Sequence, residues 1–359
     1  MKKILLWGTG KVANEVLNDC STLNLYEIVG VIDNDASKWG QIFENLTVYS
    51  PEILTKNEGI TVVVLTDAFE AIKNQIDEEY KKYSIKVENK YFFYKESLLK
   101  RYEKSSDSEI GEVIKYIKEN GLDIFNYQFC QNYKSKTNIE IDSETGFYYL
   151  FHNGKRMYFP KKFKSKETVC DYYNSILLEQ DSDSPHRYLS ESFNVREGDV
   201  VVDVGVAEGN FAIEVIDRVS KIYLVEADEE WIEALKLTFK DYMDKVVIIK
   251  AFISSFCDGN VVTIDSLIKE SVDFIKMDIE GNEWDALLGA ERVISESNSL
   301  RLAICSYHGD FDQELIESYM DKHNIEHWTS KGYMWFPTKL RQTYVSTRLN
   351  RGIVFGKKE

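Results

Sequence analysis

Proline, cysteine and long apolar runs are all scarce in this sequence. It has 4 prolines and 5 cysteines among 359 residues, and the cysteines stand at positions 20, 130, 170, 257 and 305, never as a CxxC pair. This usage argues against both a disulfide framework and a zinc knuckle. No stretch approaches the roughly 18 apolar residues of a membrane span, so we expect no membrane insertion.

Positively charged residues are also fewer than negatively charged ones. The chain has 44 Lys and Arg residues against 60 Asp and Glu residues, which gives a formal net charge of -16 at pH 7. Such a surface repels phosphate backbones, so we expect no nucleic-acid partner. The first two lysines are followed by a short apolar run that ends at Gly8 and Gly10, without the longer apolar core and cleavage site of a signal peptide. The sequence therefore predicts a cytoplasmic protein.

The length and the pattern predict three consecutive parts. The chain is longer than most single domains, which favours two full domains with a bridging element. We place an N-terminal module at residues 1–100, a bridging segment with helices and a β-hairpin at 101–195, and a C-terminal domain at 196–359. The polar stretch KSSDS at 104–108 is typical of a linker.

The N-terminal module begins as a β-α-β unit. Gly8, Gly10 and Ala13 fit the dinucleotide pattern GxGxxG/A, and Asp33 ends the second strand about 20 residues on, where an acid can hold a ribose hydroxyl. Taken alone, this pattern favours NAD. The stretches WGTGKVANEVL, VIDND and VYSPEIL also resemble small Rossmann-like modules attached to sugar-modifying enzymes. A structural or oligomerising role is as well supported as the binding of a nucleotide or sugar nucleotide, so a homo-oligomer is possible.

The bridging segment contains a predicted helix, a predicted hairpin and a histidine with two possible roles. Apolar residues at 3-and-4 spacing predict a helix that is capped near Asp107 and stops at Gly121. Asn153-Gly154 stands between two aromatic-rich runs, which predicts a β-hairpin. The pair His186-Arg187 suits a ligand carboxylate or its own loop, and the sequence slightly favours the loop.

The C-terminal domain opens on an acidic glycine loop. A buried run leads into DVGVAEG, residues 203–209, which lacks the lysine and the Ser/Thr of a phosphate-binding loop. Its acids, Asp203 and Glu208, would repel a triphosphate, whereas Gly205 and Gly209 let a ligand approach the backbone closely. Carboxylates suit a ligand with ammonium, sulfonium or hydroxyl groups.

The next strand adds a third acid, at a position where a ribose can bind. KIYLVE ends at Glu226, about 20 residues after the loop, where an acid can accept both hydroxyls of a ribose. S-adenosylmethionine combines a ribose, a sulfonium and an amino-acid head without a phosphate. It is therefore the cofactor that this arrangement favours.

Later strands predict an α/β fold with a doubly wound, mostly parallel sheet. Buried runs at 245–253, 272–277 and 300–305 alternate with helical patterns, and YMWFP with RGIVFGKK is expected to close the sheet as an antiparallel pair. Ligands of such sheets bind over the carboxyl ends of the strands. Asp203, Glu226, Asp278 and His308 all fall at those ends.

These ordered motifs resemble the FkbM family of S-adenosylmethionine-dependent methyltransferases, over about residues 180–356. The resemblance is carried by GDVVVDVGVAEGNFA, LVEAD, VTIDSL, VDFIKMDIEGNEWDALLGA and LAICSYHGDFDQELIESYM. It implies a Rossmann-like class I methyltransferase fold and methyl transfer to oxygen, often a hydroxyl of a sugar or natural product. A surface-polysaccharide, glycoconjugate or natural-product precursor is the acceptor class we expect.

The resemblance also implies positions for the cofactor. Its amino-acid end would lie against the glycine loop, its ribose against the acid of the second strand, and its adenine near the third strand: Asp203, Gly205, Glu208 and Gly209, then Glu226, then Ala251 and Phe252. Ala207-Glu208 depart from the small residue and Asn of many relatives, which puts the contact of Glu208 in doubt.

His308 and Asp278 are the candidate catalytic bases. Methyl transfer to an alcohol needs an acceptor for its proton, and His308 has the only type of side chain whose ordinary pKa lies near 7. Asp310 or Asp312 could orient the imidazole. The alternative, that His308 is a loop residue without a catalytic role, is equally supported. Glu283 is expected to be structural, because an acid in the first turn of a helix from 282 to 293 interacts well with the helix dipole.

Two further readings stay open. Asp278, Glu280 and His308 could hold a divalent cation, but nothing in their spacing demands one, so we predict no metal. Cations and aromatics gather near the C-terminus and suit an acceptor with phosphate, nucleotide or carboxylate, or an exposed hairpin or dimer contact: Lys331, Tyr333, Trp335, Lys339, Arg341, Tyr344, Arg348 and Arg351.

The alternative function is that of an NAD-dependent oxidoreductase, or of a nucleotide-binding assembly protein with a degenerate methyltransferase domain.

Overall fold

Two units make up the chain in the computed structural model. The first is Met1–Asn126 with Pro337–Arg348, and the second is Tyr127–Phe336 with Leu349–Glu359. The structure describes residues 1–19, 25–66, 68–133, 137–309, 311–337, 339–340, 344–345 and 348–358. The predicted bridging segment is divided between the two units, with its first helix in one and its hairpin in the other. The three-part division itself stays a prediction.

The first unit contains a six-stranded sheet with the order β3-β4-β2-β1-β5-β6. All its neighbours are parallel except β3 and β4. Side chains on both faces of the central strands are buried, which explains their continuous apolar runs. The elements are β1 Lys2–Trp7, α1 Lys11–Asp19, β2 Tyr26–Ile32, β3 Ile42–Phe43, β4 Leu46–Tyr49, β5 Thr61–Val64, α2 Phe69–Glu79, β6 Lys86–Glu88, α3 Phe92–Arg101 and α4 Ser108–Asn120.

The predicted helix of the bridging segment is confirmed as α4. The Asp107 side chain accepts hydrogen bonds from the N–H groups of Glu109 and Ile110, and Gly121 follows the last turn with φ 96°. A side-chain oxygen at this position satisfies N–H groups that have no partner inside the helix. The short polar stretch before the apolar pattern was thus sufficient to locate the helix start.

The second unit is built on a seven-stranded sheet with the order β12-β11-β10-β15-β16-β20-β17. Its elements begin with β7 Glu140–Ile141, β8 Tyr148–His152, β9 Lys155–Phe159, α5 Lys166–Glu179, β10 Val200–Val204, α6 Asn210–Val215, β11 Lys221–Glu226, α7 Glu229–Thr238 and β12 Val246–Lys250. They continue with β13 Phe252–Ile253, β14 Val261–Val262, α8 Ile264–Leu267, β15 Phe274–Met277, α9 Glu283–Leu288, α10 Glu291–Glu296, β16 Leu300–Cys305, α11 Asp312–Lys322 and β17 Glu326–Thr329. Two short strands of the first unit follow, β18 Lys339–Leu340 and β19 Tyr344–Val345, before β20 Ile353–Lys358.

This sheet confirms the predicted fold class. The first five strands in the order are mutually parallel, and only β20 runs antiparallel to its neighbours β16 and β17. Chain order reverses between β10 and β15, since β10 leads to β11 on one side and β15 leads to β16 on the other. A crevice opens at such a switch point, outside the carboxyl ends of the strands.

Two local predictions of the C-terminal domain were wrong. YMWFP does not pair with the last strand; β17 does, and Met334 forms only an isolated bridge with Asn350. The helix expected from 282 to 293 is two short helices, α9 and α10, because α9 ends where the N–H of Gly289 bonds back to Asp285. A side chain at Gly289 would lie 2.2 Å from the carbonyl oxygen of Ser254, so the chain turns there against a neighbouring loop.

The β-hairpin predicted for the bridging segment is confirmed. The hairpin of β8 and β9 turns at Asn153 and Gly154, both with positive φ, as a type I′ turn requires. None of the helices within the described ranges combines the length and the apolar character that a membrane span needs. Of the cysteines, Cys130, Cys170, Cys257 and Cys305 form no disulfide in the described part of the chain.

Candidate functional site

A cleft of about 930 Å³ lies at the switch point of the second unit. It is bounded by the carboxyl ends of β10, β11 and β15, by the end of α5 and by the loop after β16. The lining residues that matter below are Tyr172, Glu179, Tyr188, Gly205, Ala207, Glu208, Glu226, Ala251, Phe252, Lys276, Asp278, Glu280 and Tyr307. Six of the predicted cofactor-site and catalytic residues therefore face a single cavity: Gly205, Glu208, Glu226, Ala251, Phe252 and Asp278.

The glycines of the acidic loop are required by packing against the protein itself. A Cβ on Gly205, whose φ is 76°, would lie 1.7 Å from the carbonyl oxygen of Asp278 on the next strand. A Cβ on Gly209, with φ 83°, would lie 3.0 Å from the side chains of Leu235 and Phe239. Close approach within the fold is thus a sufficient reason for both glycines, and a ligand that lies against their backbone stays a prediction.

Asp203 lies behind the cleft wall and does not line it. Its side chain is 0% exposed and its Oδ1 is 3.1 Å from the Nζ atom of Lys276 on β15, which also donates a hydrogen bond to the carbonyl of Gly205. Burial raises the pKa of Asp203 to about 6 despite the opposing charge of Lys276. The pair therefore holds β10, its loop and β15 together, and a direct contact of Asp203 with a cofactor stays a prediction.

Glu226 faces the cleft from the end of β11. One carboxylate oxygen accepts the N–H of Ala207 at 3.0 Å, and the other accepts those of Ala227 and Asp228 at 2.8 Å each. Ala207 has φ 47°, a strained value for a residue with a side chain, and this bond holds it there. Each carboxylate oxygen offers about two acceptor positions, so the oxygen that Ala207 occupies can still bind a hydroxyl.

Glu208 is buried beside a phenol of α5. It is 5% exposed, and the hydroxyl of Tyr172 donates to its carboxylate at 2.9 Å. Burial raises the pKa of the Glu208 carboxyl to about 7, and the charge of Glu179 acts in the same direction. A carboxyl group whose pKa lies near neutrality therefore lines the cleft.

We expect Glu208→Gln to stabilise the protein at high pH only. The group has a higher pKa in the folded protein than its usual 4.5, so its contribution to stability is complete below that pH and is lost as the pH rises through about 7. The variant should exceed the wild type by about 2 to 3 kcal/mol at pH 8.5 and by little at pH 5, as thermal unfolding at both pH values would measure. Glu167→Gln, an exposed change on α5, is the control. Equal shifts at the two pH values would contradict the prediction.

Asp278 is surrounded by hydrogen-bond donors and positive charge. Tyr188 donates to its Oδ2 at 2.7 Å, the Nε2 of His186 lies 3.5 Å from the same oxygen, and the hydroxyl of Tyr307 lies 3.5 Å from Oδ1. Burial alone would raise the pKa of Asp278, but His186 and Lys276 hold it far below its usual value. Asp278 is therefore a stable carboxylate at neutral pH and a weak base.

His308 lies beside Asp278 and is oriented by Glu283. Its Nδ1 is 3.0 Å from the carboxylate of Glu283, and its Nε2 is 3.6 Å from Asp278 and 3.7 Å from Glu280. Burial would lower the pKa of His308, but the hydrogen bond and charge of Glu283, with the charges of Asp278 and Glu280, raise it to about 9. His308 is thus mostly an imidazolium at pH 7 before any ligand binds.

The predicted orienting residues of His308 were wrong or are not described. Asp312 accepts the N–H of Gly309 and forms no ion pair with the imidazole, while Asp310 lies outside the described residues. Glu283 is 1% exposed and also accepts the N–H groups of Ile279 and Gly281. Glu283 does lie in the first turn of α9, as expected, and its contact with His308 is a second role that the sequence did not predict.

Several side chains of the site were not predicted from the sequence. Lys276 stands two residues before Asp278 inside the specific KMDIEGNE block, and this two-residue spacing along a strand could have identified Lys276 as a site residue. The phenols come from distant segments, since Tyr172 is 36 positions from Glu208 and Tyr188 is 90 positions from Asp278. Only the folded chain brings them together.

The cationic group near the C-terminus is partly engaged within the protein. The guanidinium of Arg351 lies 3.8 Å from the ring centroid of Tyr333 and donates to the carbonyl of Gly332 at 3.0 Å. No member of the group in the described ranges lines the cleft. The side chains of Lys339, Arg341 and Tyr344 lie outside the described residues. Contact with an anionic acceptor stays a prediction.

In the first unit, the acid expected to hold a ribose is engaged inside the protein. Thr9 and Lys38 both donate to the same oxygen of Asp33, and Lys38 also donates to Thr9 at 3.0 Å. Burial opposes ionisation, but the bonds from Thr9, Lys38 and the N–H of Asp35 keep the pKa of Asp33 below its usual value. NAD would therefore have to displace an existing ion pair.

The family comparisons assign the two ends of the chain to different families. Residues 203–333 match the family model of the methyltransferase FkbM domain, and residues 1–86 match the family model described as C2185-like, N-terminal. The first match confirms the family predicted from the sequence motifs, so this part of the chain is a methyltransferase domain. None of the curated proteins compared with the chain matches it.

Solved methyltransferase structures are similar to the chain at low identity. The methyltransferase FkbM of Methylobacillus flagellatus KT is 16% identical, with a TM-score of 0.49 over 99% of this chain and 90% of that chain. A precorrin-6y C5,15-methyltransferase of Geobacter metallireducens GS-15 is 12% identical, with a TM-score of 0.34 over 56% and 95%. A SAM dependent methyltransferase of Aquifex aeolicus is 16% identical, with a TM-score of 0.33 over 53% and 96%.

Proposed function

We propose that this chain, whose residues 203–333 form a methyltransferase FkbM domain, is an S-adenosylmethionine-dependent O-methyltransferase. Its acceptor would be a sugar hydroxyl in a surface-polysaccharide, glycoconjugate or natural-product precursor, in the cytoplasm. The observation that supports this most is that Glu226 and the acidic loop line the same cleft as Asp278, which His308 contacts. The cleft lining thus includes the predicted ribose acceptor, Glu226, and a carboxylate, Asp278, that lies 3.6 Å from the imidazole of His308.

The cleft residues fit this cofactor better than a phosphate-bearing one. Glu226 keeps an acceptor position for a ribose hydroxyl, and Ala251 and Phe252 line the cleft just beyond the strand next to it. The cation among the described lining residues, Lys276, is already paired with Asp203, so it is poorly placed to neutralise a pyrophosphate. A sulfonium and an ammonium group, by contrast, suit the carboxylates.

His308 is the residue that we assign to the proton of the acceptor hydroxyl. When bound, S-adenosylmethionine supplies an electrophilic methyl group, which leaves S-adenosylhomocysteine as the second product. As the methyl group moved from sulfur to the acceptor oxygen, the neutral form of His308 would take the proton of the acceptor hydroxyl at Nε2. Glu283 keeps Nδ1 protonated and the ring in place, while Asp278 stabilises the imidazolium that results.

Asp278 is a less suitable base in this arrangement, although it lines the cleft. Its carboxylate is held ionised by Tyr188 and His186, and a strongly stabilised anion accepts a proton poorly. We assign it to orientation of the acceptor and of His308. Of the two bases predicted from the sequence, we therefore prefer His308.

Glu226→Ala should weaken the binding of S-adenosylhomocysteine at least about tenfold. The change removes the predicted acceptor of the ribose hydroxyls and also the bond that holds Ala207 in its strained conformation. Isothermal titration of both proteins with S-adenosylhomocysteine measures the effect. Glu229→Ala, an exposed change three residues along the chain, is the control. Unchanged affinity in Glu226→Ala would remove this residue from the ribose site.

A further inference from the structure

The pair His186-Arg187 lies on the loop between α5 and β10, before the part of the chain that matches the methyltransferase family model. Arg187 holds this loop to α6, since its guanidinium donates to both carboxylate oxygens of Glu214, at 3.0 and 2.5 Å. A Cβ on Gly352 would lie 2.1 Å from the carbonyl oxygen of Pro185, so the loop also packs closely against the chain just before β20. The loop therefore has a fixed place in the second unit.

His186 extends from this loop to the surroundings of Asp278. It is 2% exposed, and its Nε2 atom lies 3.0 Å from the hydroxyl of Tyr307 and 3.5 Å from Oδ2 of Asp278. Its Nδ1 atom lies 3.4 Å from the amide nitrogen of Gln180, which also donates to the carbonyl of His186 at 3.1 Å. Because that amide nitrogen is a donor, Nδ1 accepts and Nε2 carries the hydrogen. His186 therefore donates toward Tyr307 and Asp278.

Two phenols complete the donors around Asp278. Tyr188 is 4% exposed and donates to Oδ2 at 2.7 Å, and the Nζ atom of Lys276 lies 5.2 Å from the centroid of its ring. Tyr307 donates to Oδ1 at 3.5 Å, and the Nε2 atom of His308 lies 3.6 Å from the same oxygen. The two oxygens thus have different neighbours, with the loop before β10 on Oδ2 and His308 on Oδ1.

The orientation of the Asp278 carboxylate depends on these donors. The last torsion of an Asp side chain has broad minima, so contacts with neighbours set the plane of the carboxylate. Further acidic groups surround His308: Glu283, Glu280 and Asp312. Glu283 occupies Nδ1, whereas Nε2 has Asp278 and Glu280 beside it. The negative charge next to Nε2 is therefore determined in part by the direction in which Asp278 turns its oxygens.

We propose that His186 and Tyr188 are positioning residues of the methyl transfer, which hold the Asp278 carboxylate in the orientation that faces His308. The proposal rests on the proposed function, in which His308 takes the proton of the acceptor hydroxyl. Asp278 then stabilises the imidazolium from a fixed position. The donors of the loop also share the negative charge of Asp278, which limits its pull on the proton of His308 and keeps more of the imidazole neutral before the reaction.

Nuclear magnetic resonance tests the orientation without an acceptor. Wild type, Tyr188→Phe and the control Tyr173→Phe are prepared with isotope-labelled histidine, and their imidazole signals are followed against pH. The signal that is lost in His308→Gln identifies His308. Tyr173 is a matched control because it is 7% exposed and its hydroxyl lies 3.0 Å from the ring of His152, which does not line the cleft.

We expect the pKa of His308 to rise by about half a pH unit or more in Tyr188→Phe. The freed carboxylate of Asp278 turns toward the imidazolium and no longer shares its charge with a phenol, and both effects favour the protonated form. His186→Leu, which removes the other donor of the loop at similar volume, should change this pKa in the same direction. Tyr173→Phe should leave it in place.

Kinetics then measures what the orientation contributes to the transfer. With a verified sugar acceptor, the kcat/KM of Tyr188→Phe at pH 7 should fall about tenfold or more, while the affinity for S-adenosylhomocysteine stays nearly unchanged. The rise of kcat/KM with pH should move to higher pH, because the neutral form of His308 becomes less abundant. A structural role alone would lower Tm and leave this profile where it is in the wild type.

The outcomes separate this inference from the proposed function. An unchanged or lowered pKa of His308 in either folded variant, Tyr188→Phe or His186→Leu, overturns the inference. An equal rise in Tyr173→Phe, or a pH profile that stays in place, does the same. Thermal unfolding identifies the folded variants, and His186→Leu decides if Tyr188→Phe does not fold. A wild type that binds no S-adenosylhomocysteine contradicts the proposed function, whereas the titration of His308 still decides whether the loop holds Asp278 beside it.

Discussion

Gly205→Ala is expected to destabilise the second unit by about 3 kcal/mol or more. Two effects combine at this position. The backbone has φ 76°, which a residue with a side chain adopts only at a cost, and the new Cβ would lie 1.7 Å from the carbonyl oxygen of Asp278. Because that oxygen belongs to the backbone just after β15, it cannot rotate away as a flexible side chain could. Strands β10 and β15 must therefore separate at the floor of the cleft.

Thermal unfolding of wild type and variant measures this effect, and a loss of about 6 to 12 °C in Tm corresponds to 3 kcal/mol in a unit of this size. Gly259→Ala is the matched control, since Gly259 also has positive φ, at 57°, but no atom lies within 4 Å of an added Cβ. Backbone strain alone should cost about 1 kcal/mol there. Equal losses in the two variants would show that contact with Asp278 contributes nothing.

His308→Gln should lower turnover about a hundredfold or more while leaving the affinity for S-adenosylhomocysteine nearly unchanged. Glutamine occupies a similar volume but cannot accept the proton of the hydroxyl as a base. Steady-state kinetics with a verified sugar acceptor, together with calorimetry, separate the two effects. Prolonged dialysis against a chelator is the control for a metal at Asp278, Glu280 and His308. Normal turnover in His308→Gln would transfer the role of base to Asp278 or to water.

The pH profile distinguishes a base from a merely structural histidine. Since the pKa of His308 is raised to about 9, the neutral form that accepts a proton becomes about tenfold more abundant from pH 7 to 8 and about fivefold more abundant from pH 8 to 9. The kcat/KM of the wild type should rise accordingly. Glu283→Gln removes the nearest negative charge, which lowers the pKa of His308 and shifts this rise to lower pH. A profile that stays in place would contradict the orienting role of Glu283.

Much of the fold was predictable because local pattern and global topology agree. The runs of buried residues that form β10, β11, β15 and β16 alternate with helices, and that alternation largely fixes a parallel sheet and the edge at which ligands bind. The hairpin at Asn153-Gly154 and the helix after Asp107 depend on only a few neighbouring residues. The partner of the last strand, β17 rather than YMWFP, was missed because pairing between distant segments leaves little local trace.

The sequence predicted which strand ends form the candidate site, but not the contacts that its side chains make. Glu226 and Asp278 could be placed in one cleft because both directly follow parallel strands of the same sheet. The contact of Glu283 with His308 could not, since the helix dipole offered a sufficient local reason for an acid at that position. Likewise, the glycine loop suggested room for a ligand, whereas the carbonyl of Asp278 is what excludes a side chain from Gly205.

The sequence by itself determined the fold class, the edge of the sheet where ligands bind and the acidic character of that edge, because these depend on periodicity, order and composition. Tertiary structure alone decided the ionisation of the site. Asp203, Glu208, Asp278 and His308 all depart from their ordinary pKa values, in different directions, through burial and through charges that are distant in the chain. Burial and pairing are properties of the folded neighbourhood, and no stretch of sequence contains them.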